Sequence, residues 1–179
     1  MKDEPLLSPS ILTGYSSVMT LYFLRHATAG RQAPTDAERE LTKEGRHEAR
    51  AAGKALHALG VDPNFLWTSP LVRARQTAEI AGEALSRSLS VEIKEELENG
   101  TPTAELLALL KPLPADSEVV LVGHMPSLSE HLAALLGAAT PENFALDKGG
   151  LAAVRLEELR LGKAALRFRL RSEQMARIV

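Results

Sequence analysis

The chain has 179 residues, 45% of them hydrophobic, with 21 Lys and Arg set against 23 Asp and Glu. That size suits one buried core rather than two, and the near-neutral balance excludes a broad nucleic-acid or anionic-membrane surface, so any positive site must be local. Cys is absent, which excludes disulfides and thiolate chemistry and fits a reducing, cytoplasmic setting.

Residues 1–18 contain Pro5, Ser8, Pro9, Ser10, Gly14, Ser16 and Ser17, with neither a basic start nor an unbroken apolar run. They read as neither signal peptide nor membrane span, and are expected to be a loosely attached N-terminal extension preceding a single domain over residues 19–179. Residues 20–24 are short, β-branched or aromatic, and nearly all apolar, which predicts a central strand ending at Arg25-His26. A polar loop follows, and Thr42 then precedes a helix in which Ala49, Ala52, Leu56 and Leu59 recur at three- or four-residue steps until Gly60. Phe65–Thr68 predicts a second buried strand, after which Ser69-Pro70 opens a helix over residues 71–85. Val91–Ile93 predicts a third, shorter strand. Beyond the loop at Asn99-Gly100-Thr101-Pro102, the residues Leu106, Leu107 and Leu110 mark a brief helix stopped near Pro112 and Pro114. Residues 119–122 are wholly apolar and lead into Gly123-His124-Met125-Pro126, then into a helix carrying Leu128, Leu132, Leu135 and Leu136. From Gly149-Gly150 the pattern changes to two strands, Leu151–Leu156 and residues 165–170, joined through Gly162 as an antiparallel pair. The alternation implies a three-layer α/β/α domain, with a mostly parallel central sheet and an antiparallel C-terminal pair or edge. In such sheets ligands collect at the carboxyl ends of strands, where both Arg25-His26 and Gly123-His124 fall.

Phosphoryl transfer needs an in-line nucleophile and fixed positive charge around the equatorial oxygens. A neutral imidazole such as His26 is nucleophilic near pH 7, provided an acceptor on its second nitrogen fixes the tautomer. Arg25 offers a planar fork of donors that matches phosphate. Arg73 sits near the amino end of a predicted helix, where backbone amides already favour an anion. His124 is a third donor, kept protonated by the phosphoryl charge.

Three segments, Leu24-Arg25-His26-Ala27-Thr28-Ala29, Thr68-Ser69-Pro70-Leu71-Val72-Arg73-Ala74-Arg75-Gln76-Thr77 and Val122-Gly123-His124-Met125-Pro126, resemble the histidine phosphatase superfamily, which has a phosphoglycerate mutase-like fold. Within it the chain is most similar to the small phosphohistidine phosphatases of the SixA type, which share Arg39-Glu40-Leu41-Thr42 followed by Gly45. The resemblance implies that His26 is the phosphoacceptor, that Arg25, Arg73 and His124 form the phosphate pocket, and that Thr28 is an extra hydroxyl donor. It implies no metal and no cofactor. Ala27 departs from the Gly usual in the wider superfamily. Mutase-like relatives place an acidic Glu after the third strand, where only Glu95, Glu96 and Glu98 stand nearby. An alkoxide leaves poorly without a proton donor, whereas a phosphorylated histidine can leave as neutral imidazole, so the gap favours a P–N substrate.

The remaining ionisable residues read as structural. His47, His57 and His131 lie on predicted helices without ligand-like partners and are taken as surface or boundary residues. Glu44, Glu48 and Arg50, with Arg75 and Arg87, read as solvated helix charge. Arg167, Arg169 and Arg171 alternate with Phe168 and Leu170, placing the arginines on one solvated strand face. Gly149-Gly150 lacks the spacing of a phosphate loop, and Lys148 beside it is within plausible reach of a substrate. Three functions follow: a phosphatase acting on a protein phosphohistidine, for example on a histidine-containing phosphotransfer domain; a phosphomonoesterase for small phosphorylated metabolites using Glu95, Glu96 or Glu98 as acid; or a catalytically silent phosphohistidine-binding module, against which the intact His26 argues.

Overall fold

The structure, a computed structural model, describes residues 18–85 and 89–178. The extension expected over residues 1–18 lies outside the described residues except for Val18, and so does Arg87. Six strands form one sheet, β1 (Met19–Arg25), β2 (Phe65–Thr68), β3 (Val91–Ile93), β4 (Glu118–Gly123), β5 (Leu151–Leu156) and β6 (Ala164–Leu170), in the order β3-β2-β4-β1-β5-β6. The first four run parallel, β5 is antiparallel to β1, and β6 is antiparallel to β5.

The apolar runs of β1 and β4 follow from burial on both faces. Leu21 and Phe23 point into one core with Trp67, Leu121 and Val154, while Tyr22 and Leu24 point into the other with Leu66, Val120 and Ala153. The first core is covered by α3 (Thr103–Leu110) and α4 (Ser127–Leu136), the second by α1 (Lys43–Ala58), α2 (Val72–Ala84) and α5 (Ser172–Ile178). This is the expected three-layer architecture. Thr42 caps α1 by accepting the Gly45 N–H at 3.0 Å, and Gly60, at φ 73°, leads the chain out of that helix in a conformation that favours glycine. Among the described residues no helix is long and apolar enough to cross a membrane.

Three features depart from the sequence reading. The helix α5 was not anticipated; its buried Met175 closes the second core beneath α1. His131 is not a surface residue: it is 1% exposed in α4, with Nδ1 2.9 Å from the Thr103 hydroxyl. The arginines of β6 do not share a face, because the ladder skips Arg167, pairing Phe168 with Ala153 but Leu166 with Val154. Such a bulge resets the alternation of side chains. Arg167 therefore faces the side of Tyr22, whereas Arg169 reaches the Asn143 carbonyl on the other side at 2.7 Å.

Candidate active site

Strand order creates the site. β1 and β4 are adjacent and in register, with Arg25 opposite Gly123, so the next residue of each strand, His26 and His124, leave the sheet side by side. The His26 N–H donates to the Gly123 carbonyl at 3.0 Å, and the two imidazole centroids stand 5.0 Å apart. On the far side of β4, β2 is followed by Ser69, whose N–H donates to the Val122 carbonyl at 3.0 Å, and the first turn of α2 then presents Arg73. Three neighbouring strand ends thus supply four of the expected residues, His26, Arg25, His124 and Arg73.

His26 is 8% exposed, and its Nδ1 lies 2.8 Å from the Ala27 carbonyl oxygen. A carbonyl only accepts, so Nδ1 carries the hydrogen and Nε2 keeps its lone pair. Burial pushes the pKa of His26 down to about 4; the Ala27 bond opposes this, and the charges of Arg73, Arg25 and Arg39 reinforce it. His124, with Nε2 2.8 Å from the Ser69 hydroxyl, is pushed down to about 3 by burial and then by His26, Arg73 and Arg25, against the opposing charge of Asp36. Both imidazoles are therefore neutral at pH 7. The expectation that His124 is protonated applies only with a phosphoryl dianion beside it.

Arg73 is 6% exposed and grips one loop residue, donating from its two terminal nitrogens to the Asp36 carbonyl at 2.7 Å and to Asp36 Oδ2 at 3.0 Å. Asp36 Oδ1 accepts from Arg39 Nε at 2.8 Å, so one exposed carboxylate joins two guanidinium groups. The little burial it has raises its pKa, but the charges and hydrogen bonds of Arg73 and Arg39 prevail and hold Asp36 below the ordinary carboxylate range. Arg25 donates to the Leu146 carbonyl at 2.8 Å. Buried side-chain nitrogens without a hydrogen-bond partner include Arg25 Nε, Arg73 Nε and His124 Nδ1, all in this site. Such atoms are costly to leave unpaired, and the two guanidinium Nε–H groups are donors with no acceptor of their own.

Thr28 is engaged elsewhere. Its hydroxyl donates to Glu48 Oε1 at 2.9 Å and its N–H to Glu48 Oε2 at 2.7 Å, which places it against α1 rather than leaving the hydroxyl free for phosphate. Glu48 is correspondingly not solvated helix charge. Lys148 is exposed on the loop whose Gly149 N–H donates to the His26 carbonyl at 3.2 Å. Glu95 and Glu96 lie in the turn after β3, with Glu98 just beyond. That segment is tied to the turn after His124 by Asn99 donating to the Met125 carbonyl at 3.0 Å and by the Gly100 N–H donating to Ser127 Oγ at 2.8 Å. Burial, and then hydrogen bonding to and charge from Glu95, raise the pKa of Glu98. Among carboxylates, the charge of Asp36 acts on His124.

Asp36, Ser69 and Thr77, which accepts the Ala27 N–H at 3.0 Å, had no expected part in the site; Arg39 was noted only within a shared segment, and Glu48 only as solvated helix charge. Ser69 and Thr77 lie inside the recognised second segment. Asp36 has no local signal, since only the folding-back of its loop brings it to Arg73.

A family model described as the histidine phosphatase superfamily (branch 1) matches residues 21–100. Phosphohistidine phosphatase SixA of Escherichia coli (strain K12) is 30% identical over 142 residues, which span 78% of this chain and 87% of that protein. An uncharacterised protein of Picosynechococcus sp. is 35% identical over 141 residues, spanning 76% of this chain and 85% of its own. Among solved structures, the protein histidine phosphatase SixA complexed with tungstate superposes with a TM-score of 0.76 at 27% identity, over 86% of this chain and 97% of that one.

Proposed function

The chain belongs to the histidine phosphatase superfamily, in its SixA-type branch, and is a phosphatase; on that premise we propose that it removes a phosphoryl group from a protein histidine through a covalent phosphohistidine on His26. In the first step His26 Nε2 attacks phosphorus as the P–N bond to the substrate imidazole breaks. That imidazole departs neutral when its other nitrogen already carries a proton. In the second step water attacks phosphorus, the bond to Nε2 breaks, and the proton lost by water passes to the released phosphate. Charge on the equatorial oxygens is met by Arg25 Nε, Arg73 Nε and His124, and a dianion so placed raises the His124 pKa toward the protonated donor form.

The observation that carries this reading is the pairing of His26, whose Nδ1–H is held by the Ala27 carbonyl so that Nε2 is unprotonated, with two buried guanidinium donors that lack partners, Arg25 Nε and Arg73 Nε. Support for a nitrogen leaving group comes from Asp36. It is the carboxylate whose charge acts on His124, and it is held ionised, so it cannot protonate a departing alkoxide. One observation favours a second reading: burial, and then hydrogen bonding to and charge from Glu95, raise the pKa of Glu98, which is the direction that suits an acid for small phosphate esters.

Turnover on a phosphohistidine protein beside a panel of sugar and glycerate phosphates separates the two. Much faster ester hydrolysis, lost in Glu98→Gln, would replace the first reading by the second. Rapid denaturation after mixing with labelled substrate should trap a phosphoenzyme that vanishes in His26→Ala and persists in a variant of the exposed His47, His47→Ala. No trapped label in the unaltered protein would point to a binding module instead.

A further inference from the structure

The nucleophile proposed above depends on a tautomer, and the tautomer depends on a single peptide group. His26 Nδ1–H donates to the carbonyl of Ala27 at 2.8 Å. The other end of that peptide group is the N–H of Thr28, which donates to Glu48 Oε2 at 2.7 Å. A peptide group is planar with its N–H and C=O opposed, so fixing one end fixes the direction of the other. A charged acceptor on the N–H also draws electron density toward the carbonyl oxygen, because hydrogen bonds linked in a chain polarise one another, by roughly 10–30% per bond.

We infer that Glu48 is a positioning residue for His26, a carboxylate that acts through the Ala27–Thr28 peptide to hold the hydrogen on Nδ1 and leave Nε2 free. This rests on the reading of His26 as nucleophile. The surroundings are built to keep that peptide still. The Thr28 carbonyl accepts from the Thr42 N–H at 3.0 Å and from the Thr42 hydroxyl at 3.2 Å. The Thr28 hydroxyl takes the second oxygen of Glu48 at 2.9 Å, and Thr77 accepts the Ala27 N–H at 3.0 Å. Glycines leave room for the contact on both sides. A Cβ on Gly45 would overlap the Thr28 carbonyl, and one on Gly149 would come within 3.0 Å of Glu48 Cβ. A neutral side chain would suffice to satisfy one backbone N–H on a helix flank; a carboxylate facing both donors of Thr28 adds orientation and polarisation that reach the imidazole.

The test compares Glu48→Gln and Glu48→Ala with the unaltered full chain, using nitrogen NMR of the His26 imidazole without ligand, steady-state turnover on phosphohistidine, and orthovanadate binding. Gln still accepts the Thr28 N–H without charge; Ala does not accept at all. Partners that orient a metal-bound imidazole typically change activity tenfold to a hundredfold, and the same order is expected for this one. The expected order of kcat is therefore unaltered protein, then Gln, then Ala, with a loss of about that size in Ala, vanadate affinity within about twofold, and the hydrogen on His26 redistributed toward Nε2. A Glu44→Gln control, on the exposed first turn of α1, should match the unaltered protein. Full kcat in either Glu48 variant, an unchanged tautomer despite lost turnover, or a parallel loss of vanadate binding would overturn the inference. Should Glu48→Ala fail to fold, Glu48→Gln alone decides by the same criteria. The tautomer is read without substrate, so a phosphoenzyme that survives His26→Ala would sink the functional reading while leaving this result standing.

Discussion

At the scale of single residues, the site is a contest between fixed charges for one anion. Arg73 divides its donors between Asp36 and the pocket, with two terminal nitrogens on the loop and Nε unpartnered. Lys cannot reproduce that fork, so Arg73→Lys should lower kcat/KM by about a hundredfold to a thousandfold, the loss typical of removing one oriented donor to a developing oxyanion. Steady-state kinetics on phosphohistidine would show it, and a loss below tenfold would mean Arg73 is only a loop anchor. Asp36 works in the opposite sense. It is exposed and ionised, and it offsets the charge that an incoming phosphoryl group must meet. Asp36→Asn should tighten orthovanadate binding a few-fold, in keeping with the modest worth of an exposed ion pair; weaker binding would instead assign Asp36 to holding Arg73 in place.

At the scale of elements, the helices are held to the site by close backbone approach. A Cβ on Gly53 of α1 would overlap the Ala81 carbonyl of α2, and one on Gly45 would overlap the Thr28 carbonyl. Gly53→Ala and Gly45→Ala should each destabilise the fold by roughly 1–3 kcal/mol in urea titrations, as overpacking generally does. Gly45→Ala should in addition lower kcat, since it displaces the peptide that holds His26; equal activity loss in both variants would deny that distinction. The elements themselves were largely legible. Strands β2 and β3 match their expected bounds, and β1 and β4 each extend one residue beyond theirs at either end; β1, β2 and β4 were legible because largely buried runs carry an apolar signature, whereas β3, half-exposed at the sheet edge, was read from the Val91-Glu92-Ile93 alternation. His26, Arg25, Arg73 and His124 were legible because each sits in a recognised segment at a strand end or a helix start. What could not be read was set by tertiary contact. The bulge at Arg167 depends on pairing with β5, the burial of His131 on α3, and the roles of Asp36 and Glu48 on how the segment between β1 and α1 folds back. The partner of the Thr28 hydroxyl was hidden for the same reason, since it stands on α1, twenty positions along the chain.

For the molecule as a whole, three buried histidines tie stability to pH. Burial lowers His26 to about 4, His124 to about 3 and His131 to about 4 from an ordinary 6.5. Above pH 6.5 folded and unfolded chains are both neutral at these positions; below it the unfolded chain takes up protons that the folded chain refuses. Stability is therefore present above 6.5 and is lost as pH falls toward 4, at up to about 1.4 kcal/mol per pH unit for each histidine. Urea unfolding between pH 7 and 5 should reveal this slope, and His131→Gln should reduce it without touching the site; a flat profile would rule the linkage out. The sheet order has a further consequence. His26 is translated early, yet β1 lies between β4 and β5, and the backbone of Arg25 and His26 is pinned by Gly123, Gly149 and Gly150. A nascent chain whose β4 has not yet emerged has exposed His26 but neither of the strands that flank β1, so the pocket around that imidazole is assembled only as β4 and β5 follow.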